Sequence, residues 1–248
     1  MDPSTGGTRT ESRRFRDRRE AGRALADRLD PERLVRPVVL ALPRGGVPVA
    51  DEVARRLDAP LDVFVARKLG APGHEELGIG AIAEGSDHVV ITDLAHELYV
   101  GPAVIDQLIR READELWRRV WQYRAGRPPL PGHGVTGRDV VLVDDGLATG
   151  VTAEAALRSL RQARPRRLVL AVPICAADTR RRLEGTGLAD AVVCAVSSDN
   201  LVAVGAWYDD FAPTSDDEVV EILAAARAHP LPRRPEGPDA PESESRQP

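Results

Sequence analysis

Val140-Val141-Leu142-Val143-Asp144-Asp145-Gly146-Leu147-Ala148-Thr149-Gly150-Val151-Thr152 is the stretch whose reading decides the fold. Its first four residues are an apolar run of buried-strand type, and two adjacent carboxylates end it. A turn of small residues with the hydroxyls of Thr149 and Thr152 follows, and then a helical pattern with apolar positions Ala153, Ala156, Leu157, Leu160 and Ala163. Backbone N–H groups, hydroxyls and a positive helix end therefore converge on a space that suits one dianion. The carboxylates at the strand end add a place for a diol or a cation.

The flanking sequence repeats the same grammar. Upstream, 37–42 is an apolar run of strand length, and Pro43-Arg44-Gly45-Gly46-Val47-Pro48 breaks it before a helix over 49–57 and another strand over 61–66. Strand, helix and strand with short joints form a βαβ unit, which implies a parallel sheet with right-handed crossovers. Downstream, 167–173 and 191–196 read as buried strands separated by a helix around 178–183. The expected fold is α/β, an open, doubly wound, mostly parallel sheet with its ligand crevice at the carboxyl ends of the strands. Arg44, Arg67, Lys68, Asp144 and Asp145 are expected at such ends.

Between the two halves, 67–80 carries four glycines, a proline and several charges and is expected to be a long functional loop. Short strands over 81–84 and 88–91 suggest a hairpin about Gly85-Ser86. Gly101-Pro102 starts a long helix to about Tyr123, with Asp114–Arg118 and Glu115–Arg119 as expected pairs on its wet face. At the N-terminal end a helix from Arg13 carries Phe15, Ala21, Ala24, Leu25 and Leu29, its charged positions forming a solvated face. Residues 1–12 and 229–248 are polar or rich in Pro, Glu and Ser and are expected to be disordered tails, leaving one domain over 13–228.

Composition narrows the function classes. A formal net charge of -5 with no basic stretch free of carboxylates argues against nucleic acid as a main partner. No apolar run approaches the ~18 residues of a membrane span, and no signal peptide opens the chain, so a soluble cytoplasmic protein is expected. Cys175 and Cys194 lie in apolar strand-like runs and read as buried free thiols. Basic residues are almost all Arg, and Lys68 is the chain's one lysine. His88, His96, His133 and His229 show no metal-ligand spacing, and His74, Glu75 and Glu76 read as a solvated loop surface.

The stretch 140–152 resembles the phosphoribosyl pyrophosphate (PRPP) motif of type I phosphoribosyltransferases: an apolar strand, two acids, a few small residues, then Thr-Gly-x-Thr. Leu42-Pro43-Arg44-Gly45-Gly46 is similar to that family's pyrophosphate loop, and the resemblance covers about 13–228. It is strongest with a bacterial group of unassigned acceptor that shares Arg-Gly-Gly-Val-Pro-Val-Ala, Arg-Lys-Leu-Gly-Ala-Pro and Trp-Tyr-x-Asp-Phe stretches. The resemblance implies a Mg²⁺-dependent transfer of the phosphoribosyl group from PRPP to a nitrogen nucleophile of a small heterocycle, with release of pyrophosphate. It also implies a small hood over the acceptor from 197–226 and 13–30; a homodimer is one candidate assembly.

Residue by residue, Asp144 and Asp145 would hold the ribose hydroxyls and, through PRPP and water, the Mg²⁺. Gly146, Leu147, Ala148, Thr149, Gly150 and Thr152 would cradle the 5-phosphate. Arg44, Gly45 and Gly46 would take the pyrophosphate, with a cis or strained peptide at or beside Arg44-Gly45. Arg67 and Lys68 would close over it, and Asp144, Asp145, Arg44 and Lys68 make the expected catalytic set. In the hood, Leu201, Val202, Trp207 and Asp209 are the expected acceptor contacts. The acceptor signature matches neither of two known groups. Purine-type members carry an acid where this chain has Ala148, and uracil-type members have Pro in place of the second acid.

An alternative from another class is a sensor that keeps the PRPP site without performing transfer; Ala148 favours it, and Arg44 with a long closing loop favours the enzyme. A phosphorylatable receiver domain needs a lysine on a later strand, and none follows Lys68. A Gly-x-x-x-x-Gly-Lys-[Ser/Thr] phosphate loop occurs nowhere.

Overall fold

A computed structural model describes residues 14–85, 89–125 and 134–228. In chain order the elements are α1 (Arg18–Ala26), β1 (Val38–Ala41), α2 (Gly46–Leu57), β2 (Leu61–Val63), β3 (Ala66–Ala71) and β4 (His74–Ala83). They continue with β5 (Val90–Ile91), α3 (Asp93–Glu97), α4 (Pro102–Arg124), β6 (Asp139–Val143) and α5 (Val151–Gln162). β7 (Arg167–Ala176), α6 (Ala177–Gly185), β8 (Ala191–Ser198) and α7 (Asp216–Ala228) complete the set, with short 3₁₀ turns at Pro31–Arg33 and Val204–Trp207.

The main sheet has five parallel strands in the order β2-β1-β6-β7-β8. The chain leaves β1 through α2 toward β2 on one side, and leaves β6 through α5 toward β7 on the other. The strand order therefore reverses between β1 and β6, and the loops that follow these two strands must open side by side at one edge. Their register makes this concrete, since Ala41 pairs with Val143.

Alternation along each strand feeds two cores. Val39, Ala41, Val141 and Val143 pack with Val47, Ala50 and Val53 of α2. Val38, Leu40, Val140 and Leu142 pack on the opposite face with Ala153, Ala156, Leu157 and Leu160 of α5. Burial on both faces explains why these strands read as unbroken apolar runs rather than alternating ones. The doubly wound α/β class is thus the observed fold.

Several local expectations are corrected. Residues 67–80 are not an irregular loop: β3 and β4 form an antiparallel ribbon with a bulge between Leu69 and Ala71, and β5 adds a third strand. Arg67 and Lys68 consequently lie within β3, away from the carboxyl end of a core strand. The strand expected over 61–66 stops at Val63, because the chain turns there into the ribbon. α2 begins at Gly46 rather than 49. The N-terminal helix begins at Arg18, where Asp17 accepts the Glu20 N–H at 2.7 Å as N-cap; Phe15 lies outside it in a bridge with Tyr208. On α4, Arg118 pairs with Glu115 instead of Asp114, and Arg119 shares the same carboxylate.

Cys175 and Cys194 are paired as a disulfide between β7 and β8, against the expectation of free thiols; adjacent parallel strands bring their Cα atoms to 6.3 Å. The hairpin of β4 and β5 is as expected, although its turn at 86–88 lies outside the described residues. So do the expected tails, His133 and most of the Pro/Gly segment before β6. Among the described residues no helix is long and apolar enough to cross a membrane.

Candidate functional site

The two loops at the switch point touch. Past β1 the Pro43-Arg44 peptide is cis, at the position expected beside Arg44-Gly45. Gly45 then caps α2 and lies so close to Asp145 that a Cβ on it would come within 1.9 Å of Oδ2. Gly46 is also close to the end of β6, where its own Cβ would meet the Val143 carbonyl at 2.7 Å. Its N–H donates to Leu42 O at 3.1 Å, which leaves the amides of Arg44 and Gly45 as the loop's offering to a ligand.

Asp144 and Asp145 are half-buried side by side at the end of β6. Burial pushes the Asp144 carboxyl well above its ordinary range, and the neighbouring Asp145 charge adds to this. Asp145 is raised by the same burial and held back by Arg18, whose Nε–H donates to Oδ2 at 2.9 Å. The Tyr208 hydroxyl donates to the Asp145 carbonyl at 2.6 Å, and burial pushes its pKa above the ordinary phenol value. Two adjacent carboxyl groups beside one arginine present hydrogen-bonding oxygens that suit a diol or a cation.

The loop of 146–150 is braced from behind. Leu147 is buried, its N–H donates to Ile174 O at 2.8 Å, and its carbonyl accepts the Ala176 N–H at 2.9 Å. Its amide is therefore committed to β7. Ala148 accepts the Thr179 hydroxyl, and Thr149 accepts an Arg182 N–H at 2.9 Å, so α6 holds the outer side of the loop through carbonyls. Gly150 caps α5 at φ 72, and the first helical bond runs from Glu154 N–H to Gly150 O at 2.8 Å. The N–H groups of Val151, Thr152 and Ala153 precede that bond, as the open end of a helix requires. Thr149 is exposed and Thr152 half-buried at this end.

The remaining expected residues are not all brought here. Arg44 is placed beside the cradle, with its Nη1 3.6 Å from Asp216. Arg67 instead points to α4, where Nη2 and Nε donate to Glu112 Oε2 at 2.6 and 2.9 Å. Lys68 is half-buried along the ribbon, its stem against Gly78. Of the acceptor set, Leu201 and Trp207 pack in a small apolar cluster with Phe15, Ala21, Ile174 and Tyr208. Val202 is 94% exposed, and the Asp209 side chain is exposed while its N–H donates to Phe15 O at 2.8 Å.

Three participants were not anticipated: Arg18, Tyr208 and Asp216. Arg18 reads in sequence as one more charge on a wet helix face, and only the long-range pairing of 15–16 with 207–210 turns it inward. Tyr208 belongs to the Trp-Tyr-x-Asp-Phe stretch, which was a usable signal. Asp216 joins Arg44 to the Tyr123 hydroxyl, 2.5 Å away, and to Arg118 at 3.3 Å.

The donor set fits a magnesium ion that is mostly held by its ligand. Two adjacent carboxylates supply hard oxygens, and among the described residues no group of three or more His, Cys, Asp or Glu forms a protein-only cage.

Comparison with known proteins agrees with this geometry. The family model described as "Phosphoribosyl transferase domain" matches residues 18–210. A Mycobacterium tuberculosis H37Rv protein whose name places it among the phosphoribosyl transferases is 47% identical over 215 residues, 87% of this chain and 47% of that protein. The chain thus spans about half the length of the curated relatives it matches. The crystal structure of TT1426 from Thermus thermophilus superposes with a TM-score of 0.69 at 46% identity, covering 86% of this chain and 98% of that one. With the strand order, the acidic pair and the two loops in place, this chain belongs to the phosphoribosyl transferase domain family.

Proposed function

We propose that this chain binds PRPP with Mg²⁺ and transfers its phosphoribosyl group to a ring nitrogen of a small heterocycle, releasing pyrophosphate. The observation that carries the reading is the contact of Gly45 with the Asp145 carboxylate, which joins the diphosphate loop and the sugar-binding acids into one cradle.

In this reading Asp144 and Asp145 accept hydrogen bonds from the ribose hydroxyls. Their charge favours the positive ring that develops as the bond from the anomeric carbon to pyrophosphate lengthens. The open N-terminus of α5, with Thr149 and Thr152, holds the 5-phosphate and fixes the sugar. Arg44 and the amides beside it take the charge that grows on the leaving diphosphate, each charge-assisted bond contributing roughly 1.5–3 kcal/mol. A Mg²⁺ held by Asp144 and Asp145 through PRPP and water would supply further neutralisation of the diphosphate charge. The hood segment 197–226 covers the acceptor, whose nitrogen adds with inversion from the face opposite the leaving diphosphate. Lys68 and Arg67 reach the diphosphate only if the ribbon of β3 and β4 moves toward the cradle.

Titration calorimetry with PRPP and Mg²⁺, followed by pyrophosphate release over a panel of bases, tests this. Saturable binding with release for at least one base is expected. The Asp144→Asn, Asp145→Asn double variant should fold and lose release by about 100-fold or more. Absence of PRPP binding by the wild type would refute the reading. A second reading rests on Ala148, which leaves no acid at the position used for base handling; binding without release for any base would favour a PRPP sensor.

A further inference from the structure

Arg18 stands where the two halves of the cradle meet. Main-chain pairing puts it there: Phe15 N–H donates to Trp207 O at 2.9 Å, and Asp210 N–H to Arg16 O at 2.8 Å, so the first turn of α1 is carried over the ends of β1 and β6. The guanidinium then lies 3.9 Å over the Phe211 ring, donates from Nε to Asp145 Oδ2 and from Nη1 to Ala212 O at 2.8 Å, and is only 11% exposed. Its Nε is also 3.2 Å from the point that a Cβ on Gly45 would occupy. The cation thus stands against the glycine loop and the acidic pair together.

Arginine has five N–H donors in a rigid fork that matches phosphate oxygens. Two of the five are engaged as described, and among the described residues Nη2 has no hydrogen-bond partner. A structural counter-ion for Asp145 needs none of this spare capacity. Stacking on Phe211 fixes the plane of the fork, so its unused edge is oriented in advance rather than searching for a ligand.

We infer that Arg18, supplied by the N-terminal segment, is a second diphosphate-binding residue in addition to Arg44. In this structure it pairs with Asp145. When the diphosphate of PRPP enters beside Gly45, Nη2 bonds its oxygens while the ribose hydroxyls bond the carboxylate. The inference rests on the PRPP reading above, and ribose 5-phosphate separates the two because it has the sugar and 5-phosphate without the diphosphate.

The test is equilibrium binding of three probes, Mg²⁺ with PRPP, Mg²⁺ with inorganic pyrophosphate, and ribose 5-phosphate, to the full chain and to Arg18→Gln. The expected result is a loss of about tenfold or more for PRPP and pyrophosphate, with ribose 5-phosphate affinity within about twofold of wild type or tighter. Equal losses for all three probes, or no loss for the diphosphates, would overturn the assignment and leave Arg18 a structural counter-ion. Should Arg18→Gln fail to fold, Arg18→Lys keeps the charge without the fork, and the same selective loss, smaller in size, is expected of it. Wild-type protein that binds ribose 5-phosphate and not PRPP would also overturn it, and a wild type that binds none of the probes removes the PRPP reading itself.

Discussion

Gly45 and Asp145 belong to loops far apart in the chain and are in van der Waals contact, with room at Gly45 for a hydrogen and nothing larger. The contact follows from topology. β1 and β6 are parallel neighbours in register, so whatever follows each strand meets at the same sheet edge. α2 and α5 then leave on opposite faces, which opens a crevice between their first turns.

Gly45→Ala is therefore a test of the cradle and not of backbone freedom, since Gly45 has φ -58, ordinary for any residue. The added methyl must displace the Asp145 carboxylate. A stability loss of about 1–3 kcal/mol is expected from overpacking. PRPP affinity should fall further than stability alone explains. A variant with wild-type affinity, measured by titration calorimetry, would mean that the two loops do not act together.

Asp216 supplies an internal anion to Arg44, at 3.6 Å, and it is itself held below the ordinary carboxylate range by the Tyr123 hydroxyl first and by Arg118. In the proposed reading an incoming diphosphate would compete with it for Arg44. Asp216→Asn keeps an acceptor for Tyr123 and removes the charge, so pyrophosphate should bind about two- to fivefold more tightly, the scale of a partly exposed ion pair. Weaker pyrophosphate binding in this variant would show that Asp216 orients Arg44 instead of competing with it.

Much of this was legible in the sequence because it is local. The strand ending in Asp144-Asp145, the Gly150 turn and the helix after it are consecutive, and burial on both faces leaves an apolar run that cannot be mistaken for a surface strand. Arg44-Gly45-Gly46 was legible for the same reason. The ribbon was not: glycines and charges in 67–80 look like a loop, yet Arg67 and Lys68 are strand residues whose pairing with Ile82 and Ala81 is set by contacts across the ribbon. Arg18 was illegible too. Its partner Asp145 is 127 residues away, and an arginine at the first turn of a helix gives no sign of which way it faces. The thiol pairing likewise depends on strand neighbours, β7 and β8, that only the sheet order establishes.

Glu84, fully buried where the ribbon leaves the main sheet, bonds Arg124 and the Val65 N–H. Burial raises its carboxyl from 4.5 to about 7, against the opposing pull of Arg124. The folded state therefore binds this proton more tightly than the unfolded chain, and the stability linked to it is full below pH 4.5 and lost as pH rises through about 7. Urea unfolding of wild type and Glu84→Gln from pH 4.5 to 8 should show the wild-type advantage shrinking with pH, by up to about 3 kcal/mol. A difference independent of pH would show that Glu84 is ionised throughout as half of a permanent pair.

Gly150 and Gly73 share a left-handed backbone, φ 72 and 74, and differ in their surroundings. A Cβ at Gly73, in the ribbon turn, meets nothing within 4 Å, whereas one at Gly150 would meet Thr179 Cγ2 at 2.7 Å. Alanine at either position bears the left-handed cost of about 1–2 kcal/mol. Only Gly150→Ala must also push α6 away from the loop that α6 holds through Ala148 and Thr149. Its unfolding free energy should therefore fall by about 1 kcal/mol more than that of Gly73→Ala. The same displacement shifts the first-turn N–H groups of α5, so ribose 5-phosphate and PRPP should weaken together in Gly150→Ala, and neither should weaken in Gly73→Ala. Equal effects of the two variants on stability would mean that α6 yields freely, and that the phosphate loop is held by Leu147 and β7 alone.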